Sequence, residues 1–357
     1  MWQRHRGLIA GAAALAVCLA VLAVLYGGGD EEEPRERRAG APPGFLGVVA
    51  EDAFGRPGAY RSRTLDRVRA AGAGLVRQTF DWTLIERSPG RYDFSFYDRF
   101  VAAVAKRKLQ LLPILFNPPP IRSSAPPRGR RRGTYPPRRF ADLGAFGAAL
   151  VRRYGPGGSF WRSRPRLPRL PVRSWQIWNE PNVPVYWPPG PNPAAYVRLL
   201  RATGQAIKRV DPGAEIVMAG LAESELGVPL RSYLEEMYEA GAAGTFDVLA
   251  LNPFARDARG VLAVVRAARR VSAVHGDAPP VWITEFGWAT GGPPSAFRVG
   301  EGEQADLIEE TLVELASRRR ELQLRGVIYF NWRDSLPFQG GRDFFGLHTG
   351  LLRRGGS

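Results

Sequence analysis

From Phe45 to its end the chain repeats one pattern, a short apolar run of strand character followed by a helical stretch, and this repetition limits the possible folds more than any other feature. Strand-like runs are read at 45–50, 74–80, 109–116, 174–178, 215–219, 246–252, 281–284 and 326–331. Helical patterns lie between them, at 62–71, 97–106, 140–154, 193–210, 230–240, 261–275 and 303–319, most starting near Ser, Asp, Pro or Glu and ending near Gly. Eight such alternations in about 310 residues predict an α/β fold of the (β/α)8 TIM barrel type, whose catalytic groups stand at the C-terminal ends of the strands. An open doubly wound sheet is the alternative, but it calls for a glycine-rich phosphate loop after an early strand, and residues 45–58 contain none.

Two strand ends carry chemistry. Ser174-Trp175-Gln176-Ile177-Trp178-Asn179-Glu180-Pro181-Asn182 joins an aromatic-rich strand to a polar tip, and proline stops the ladder there. Val281-Trp282-Ile283-Thr284 leads in the same way into Glu285-Phe286-Gly287-Trp288. On strands four and seven of one barrel, Glu180 and Glu285 would face each other across the mouth. Paired carboxylates in that position suit glycoside cleavage, with a gap of about 5–5.5 Å for retention and about 6.5–9.5 Å for inversion.

Composition narrows the rest. The 357 residues are 45% hydrophobic and 24% charged, enough for a large core. Cys18 is the only cysteine and His5, His275 and His348 the only histidines, so no metal site and no cofactor is expected. The formal charge of +16 rests on arginine, with lysine only at 106, 108 and 208. These arginines are spread along the chain without a nucleic-acid motif, and no nucleic acid is expected as partner.

The motifs resemble those of retaining glycoside hydrolases of clan A, the barrel enzymes that include families 5 and 39. The resemblance runs from Phe45 to Leu347 through Val76-Arg77-Gln78-Thr79-Phe80-Asp81-Trp82, Ile85-Glu86, Pro89-Gly90-Arg91-Tyr92-Asp93-Phe94, the two glutamate motifs and Tyr329-Phe330-Asn331-Trp332. It implies that Glu180 is the general acid/base and Glu285 the nucleophile of a double displacement. It further implies that Arg77 lies beside the nucleophile, that Asn179 bonds the sugar 2-hydroxyl, and that Trp332 forms an aromatic floor under the ring. One departure stands out: where the clan has a histidine and a tyrosine at the end of strand six, this chain has Asn252 and Phe254, and phenylalanine cannot hydrogen-bond the nucleophile. Asn252 is expected to take part of that polar role, and Asn117, Phe116, Tyr186, Trp187 and Trp288 are candidate cleft residues, whereas Trp178 is expected in the core. Asp81 and Glu86 read as positioning residues. A non-catalytic glycan-binding barrel is the rival reading.

Residues 8–26 form an apolar run of transmembrane length, preceded by Arg4 and Arg6 and followed by acidic residues 30–33. The expected domains are an anchor or signal segment at 1–26, a charged linker at 27–44 and the catalytic barrel at 45–357. The anchor would leave a single-pass protein, expected as a monomer, with its barrel outside the cytoplasm, and a cleaved signal peptide is the alternative. Two arginine clusters differ in place. Arg128, Arg130, Arg131, Arg132, Arg138 and Arg139 follow strand three and border the cleft, where an anionic glycan is one possible ligand; Arg162, Arg164, Arg166, Arg169 and Arg173 precede strand four, at the end expected to face anionic headgroups.

Overall fold

The computed structural model describes residues 41–127, 134–337 and 341–355. The run at 8–26 and four of the cleft-side arginines, Arg128 and Arg130 to Arg132, lie outside them. Among the described residues no helix is long and apolar enough to cross a membrane.

The strands are β1 (Leu46–Val49), β2 (Leu75–Asp81), β3 (Gln110–Phe116), β4 (Ser174–Ile177), β5 (Glu215–Val217, resumed at Leu221–Ala222), β6 (Leu249–Asn252), β7 (Val281–Ile283) and β8 (Leu324–Tyr329). All pair in parallel, in the order β5-β4-β3-β2-β1-β8-β7-β6, and β6 returns to the resumed part of β5. A bridge between Val217 and Val248, with Met218 N–H donating to the Val248 carbonyl at 3.1 Å, brings the two ends of the sheet together. The curled parallel sheet is consistent with the expected (β/α)8 barrel. Short strands buried along their whole length explain why the sequence reads as apolar runs instead of alternating ones.

Among the described residues seven longer helices lie between the strands, α1 (Gly58–Ala70), α2 (Ser95–Lys106), α3 (Phe140–Tyr154), α4 (Pro193–Lys208), α5 (Leu230–Glu239), α6 (Ala258–Val274) and α7 (Glu301–Ser317), with single helical turns at Trp82–Ile85 and Ser159–Arg162. Their starts are chemically marked. Asn192 accepts from Ala195 N–H at 2.8 Å with Pro193 at the first helical position, and Asp257 accepts from Gly260 N–H at 2.7 Å. Among the described residues β8 is followed by a 3-10 turn, Phe345–His348, in place of an eighth helix.

The loops at the C-terminal ends are tied by buried polar groups. Glu86, fully buried, accepts from the Trp82 indole and from Gly90 N–H, both at 2.6 Å, and from Arg122 at 2.7 Å, which joins the loops after β2 and β3. Asn182 plays the same part between β4 and β5: its amide donates to the Ala222 carbonyl at 2.7 Å and accepts from Ala222 N–H at 3.2 Å. The mouth is therefore built from loops with little freedom to move apart.

Candidate active site

Arg77 organises the centre of the mouth. It sits on β2 in register with Val49 of β1 and Leu112 of β3, and is 1% exposed. Its three donating nitrogens have separate partners: Nε donates to Gln176 Oε1 at 2.7 Å, Nη1 to Glu285 Oε1 at 2.6 Å and Nη2 to Asn179 Oδ1 at 2.9 Å. Gln176 is itself fixed, donating to the Met218 carbonyl at 3.1 Å. One guanidinium thus ties β2, β4 and β7 together, and its ion pair is with Glu285 instead of the nearer-in-sequence Asp81 or Glu86.

Glu180 lies just past β4 on a bent backbone. Trp178 and Glu180 have φ of 77° and 40°, a region that side-chain-bearing residues rarely occupy and that costs on the order of 1–3 kcal/mol at each position. Glu180 N–H donates to the Gly220 carbonyl at 3.2 Å, and the Trp178 indole is fastened to the Tyr186 carbonyl at 2.8 Å. The Glu180 carboxylate accepts from Asn252 Nδ2 at 2.8 Å, while Asn252 Oδ1 accepts from the Thr284 hydroxyl at 2.7 Å. Thr284 fixes which end of the Asn252 amide points to Glu180. Gly220 makes this possible, because a Cβ there would stand 2.3 Å from Asn252 Oδ1 and 2.5 Å from Thr284 Oγ1.

The two carboxyls have different electrostatic surroundings. Burial is the largest cause for both. It pushes Glu180 up to about 8, reinforced by the charge of Glu285 and opposed by the Asn252 amide and Arg77. It pushes Glu285 up as well, but there Arg77 opposes it at contact distance, through both charge and hydrogen bond. Glu285 is therefore the first of the pair to lose its proton, and Glu180 the one that keeps it. Tyr186, half-buried on the loop after β4, is held protonated by burial and by the nearby charges of Glu180, Glu285 and Glu51.

Several sequence expectations for the cleft need correction. Trp332 is 3% exposed and belongs to a buried apolar cluster that includes Val48, Leu65 and Val68. Trp288 is buried under the loops after β6 and β7, its indole donating to the Ala255 carbonyl at 2.9 Å. Trp187 is also core, edge-on to Trp178 and Tyr196. Asn117 spends its amide on Asp81 at 2.8 Å, as a loop tie. Phe254 joins Phe297, Phe330 and Phe345 in an aromatic cluster. Of the described cleft-side arginines, Arg138 donates to the Ile121 carbonyl at 2.7 Å and Arg139 to Asp142 at 2.8 Å, so both are turned to their own loop. Trp178 is core, as expected.

Sequence reading gave no role to Gln176, Thr284, Gly220 and Glu51. Gln176 and Thr284 lie inside the two glutamate motifs, and Gly220 and Glu51 directly follow the strand runs at 215–219 and 45–50. Gln176 sits on β4, which is separated from β2 by β3, and only the folded structure shows that it meets Arg77.

No protein-family model matches the sequence, and no curated protein matches it. Solved structures are similar in fold. The likeness is to glycoside hydrolases of family 39. The family 39 enzyme from Xanthomonas axonopodis pv. citri superposes with a TM-score of 0.64 at 18% identity over 87% of this chain and 63% of its own. A family 39 glycoside hydrolase from Bacteroides cellulosilyticus WH2 gives 0.59 at 19% identity over 87% and 60%, and a glucosidase from Croceicoccus marinus 0.60 at 16% over 88% and 64%. The chain thus spans about 60–64% of the length of these structures. At such identities the comparison establishes the fold, and the clan A resemblance read from the motifs holds at that level.

Proposed function

We propose that the protein is a glycoside hydrolase that cleaves O-glycosidic bonds by a retaining double displacement, with Glu285 as nucleophile and Glu180 as general acid/base. The observation that carries this reading is the unequal treatment of two strand-end carboxyls in one mouth: one is ion-paired with Arg77 and the other is pushed up to about 8. Glu285, ionised, attacks the anomeric carbon while Glu180 gives its proton to the leaving oxygen. Glu180, now a carboxylate, then takes a proton from the water that releases the sugar. Asn179 accepts from Arg77 through its carbonyl, which leaves its amide nitrogen for a sugar hydroxyl. The Asn252 amide bonds Glu180 and also favours the charged form of Glu285. Two carboxyls within reach of one amide group favour the shorter spacing of retaining enzymes.

The test is hydrolysis of a panel of aryl glycosides by the full chain, by Glu285→Ala and by Glu180→Ala with added azide. Loss of turnover in Glu285→Ala, and an azide adduct of retained configuration from Glu180→Ala, are the expected results. Inverted product, or turnover that survives Glu285→Ala, would overturn the assignment. The placement of Phe254 in an aromatic cluster favours one alternative, a glycan-binding barrel without turnover, which binding without cleavage in this panel would select. We also propose that residues 8–26 tether the barrel outside the cytoplasm, to be checked by protease accessibility of the barrel on intact cells.

A further inference from the structure

The chain as a whole is strongly basic, at +16, yet among the described residues the centre of its mouth sets Glu180 and Glu285 against the one guanidinium of Arg77. Glu51 lies two residues beyond Val49, the register partner of Arg77, and Thr79, two residues beyond Arg77, donates its hydroxyl to Glu51 Oε1 at 2.7 Å. Glu51 therefore stands one layer above the Arg77–Glu285 pair on the β1 side of the mouth. It is exposed, and its charge is felt by both Glu285 and Tyr186.

Beside Glu51 is a small cavity of about 30 Å³, with Asp52, Asn331, Arg333 and Ser335 among its lining residues. Asn331 is 5% exposed and its Oδ1 meets no donor, and Asp52 Oδ1 is likewise buried without one. Arg333 is engaged, donating to Asp52 Oδ2 at 3.2 Å and to the Arg353 carbonyl at 2.7 Å. The cavity has room for a water or one small polar substituent. Its open valences are acceptors, and with Glu51 the charges around it are two carboxylates against one guanidinium.

We propose that this mouth selects a glycone bearing a protonated amino group over a neutral one and discriminates against uronic acids, Glu51 reading the charge and the Asp52–Asn331 recess receiving the substituent. The proposal rests on the glycosidase reading for the identity of the ligand as a sugar. An ammonium has three donors and no acceptor, which matches the open valences of the recess; a carboxylate leaves them unmet and adds like charge.

The experiment measures binding separately from turnover. Methyl glycosides of the gluco and galacto series carrying a 2-amino, a 6-amino, no charged or a uronate substituent are titrated against the full chain by ligand-observed NMR at pH 6, in low salt and in 0.5 M salt. An amino glycoside is expected to bind about tenfold or more tightly than the matching uronate at low salt, with the gap narrowing in high salt. Glu51→Gln should shrink the amino-to-uronate ratio toward one and Glu51→Lys should invert it. Equal or tighter binding of uronates, a ratio unmoved in Glu51→Gln, or no binding of any member would overturn the proposal. If the ratio stands while no glycoside in the aryl panel is cleaved, the hydrolase reading falls and charge selection survives. If neutral glycosides are cleaved without the ratio, charge selection alone falls.

Discussion

Replacing Glu180 by glutamine should remove most of a pH dependence of stability that has nothing to do with substrate. A carboxyl whose folded-state value is raised binds its proton more tightly in the native than in the unfolded chain. Its contribution is therefore complete below its ordinary value near 4.5 and is lost as pH rises toward its folded value of about 8. At about 1.4 kcal/mol per pH unit, the loss between pH 5 and pH 9 comes to about 4 kcal/mol. Glutamine has nothing to ionise, keeps a carbonyl to accept from Asn252, and relieves Glu285 of a neighbouring charge. Urea unfolding of both proteins at pH 5 and pH 9 gives the measurement as a difference of differences, in which the three histidines cancel. Wild type should lose about 4 kcal/mol more than Glu180→Gln between the two conditions. Equal losses, within about 1 kcal/mol, would refute the claim that Glu180 is forced to hold its proton by burial beside Glu285.

Arg77→Met should lower kcat/KM by about 100-fold or more, since a charge-assisted bond worth roughly 1.5–3 kcal/mol is lost from Glu285 and two positioning bonds go with it. Because Arg77 holds Glu285 down, the acid limb of the pH–rate profile should move to higher pH in the same variant. Asn252→Ala removes the donor that favours ionised Glu180, so the basic limb should move up and kcat should fall by roughly tenfold. Glu86→Ala strands the Trp82 indole and the Arg122 guanidinium and should cost on the order of 3–5 kcal/mol by urea unfolding, with a far smaller effect on kcat of the folded fraction.

The architecture was legible because parallel strands covered by helices on the outside are apolar throughout, so β1 to β8 each stand out as a short run between helical stretches. The pair Glu180 and Glu285 was legible for a related reason: a carboxylate that ends such a run, stopped by Pro181 or Gly287, can only be at the mouth. The aromatic residues were not. Trp332 and Trp288 lie one and three residues past recognisable features, but the direction of a side chain beyond the last ladder bond is set by where the chain turns, and both rings turned into the core. Contacts between strands distant in sequence were equally hidden. Arg77 and Gln176 are 99 residues apart, and Asn252 and Glu180 are 72 apart, so only strand order and register bring them together.

The loss of a tyrosine at position 254 becomes intelligible once the polar contacts are followed. The phenyl ring is absorbed by Phe297, Phe330 and Phe345, so no hydroxyl is called for at that point of the loop. Two residues earlier, at the end of β6, Asn252 supplies the polar contact, and it supplies it to Glu180. Under the proposed mechanism the orientation of Glu285 rests on Arg77, whose other two bonds to Gln176 and Asn179 hold the guanidinium in place. The charges argue in the same direction. With Glu180 and Glu285 close to Arg77 and the exposed Glu51 above them, full ionisation would leave one uncompensated negative charge in the buried site, and burial places the proton on the carboxyl that lacks the guanidinium. A cation entering the mouth would supply part of the missing compensation, so selection of a positively charged glycone and retention of the proton on Glu180 are two responses to one excess of negative charge.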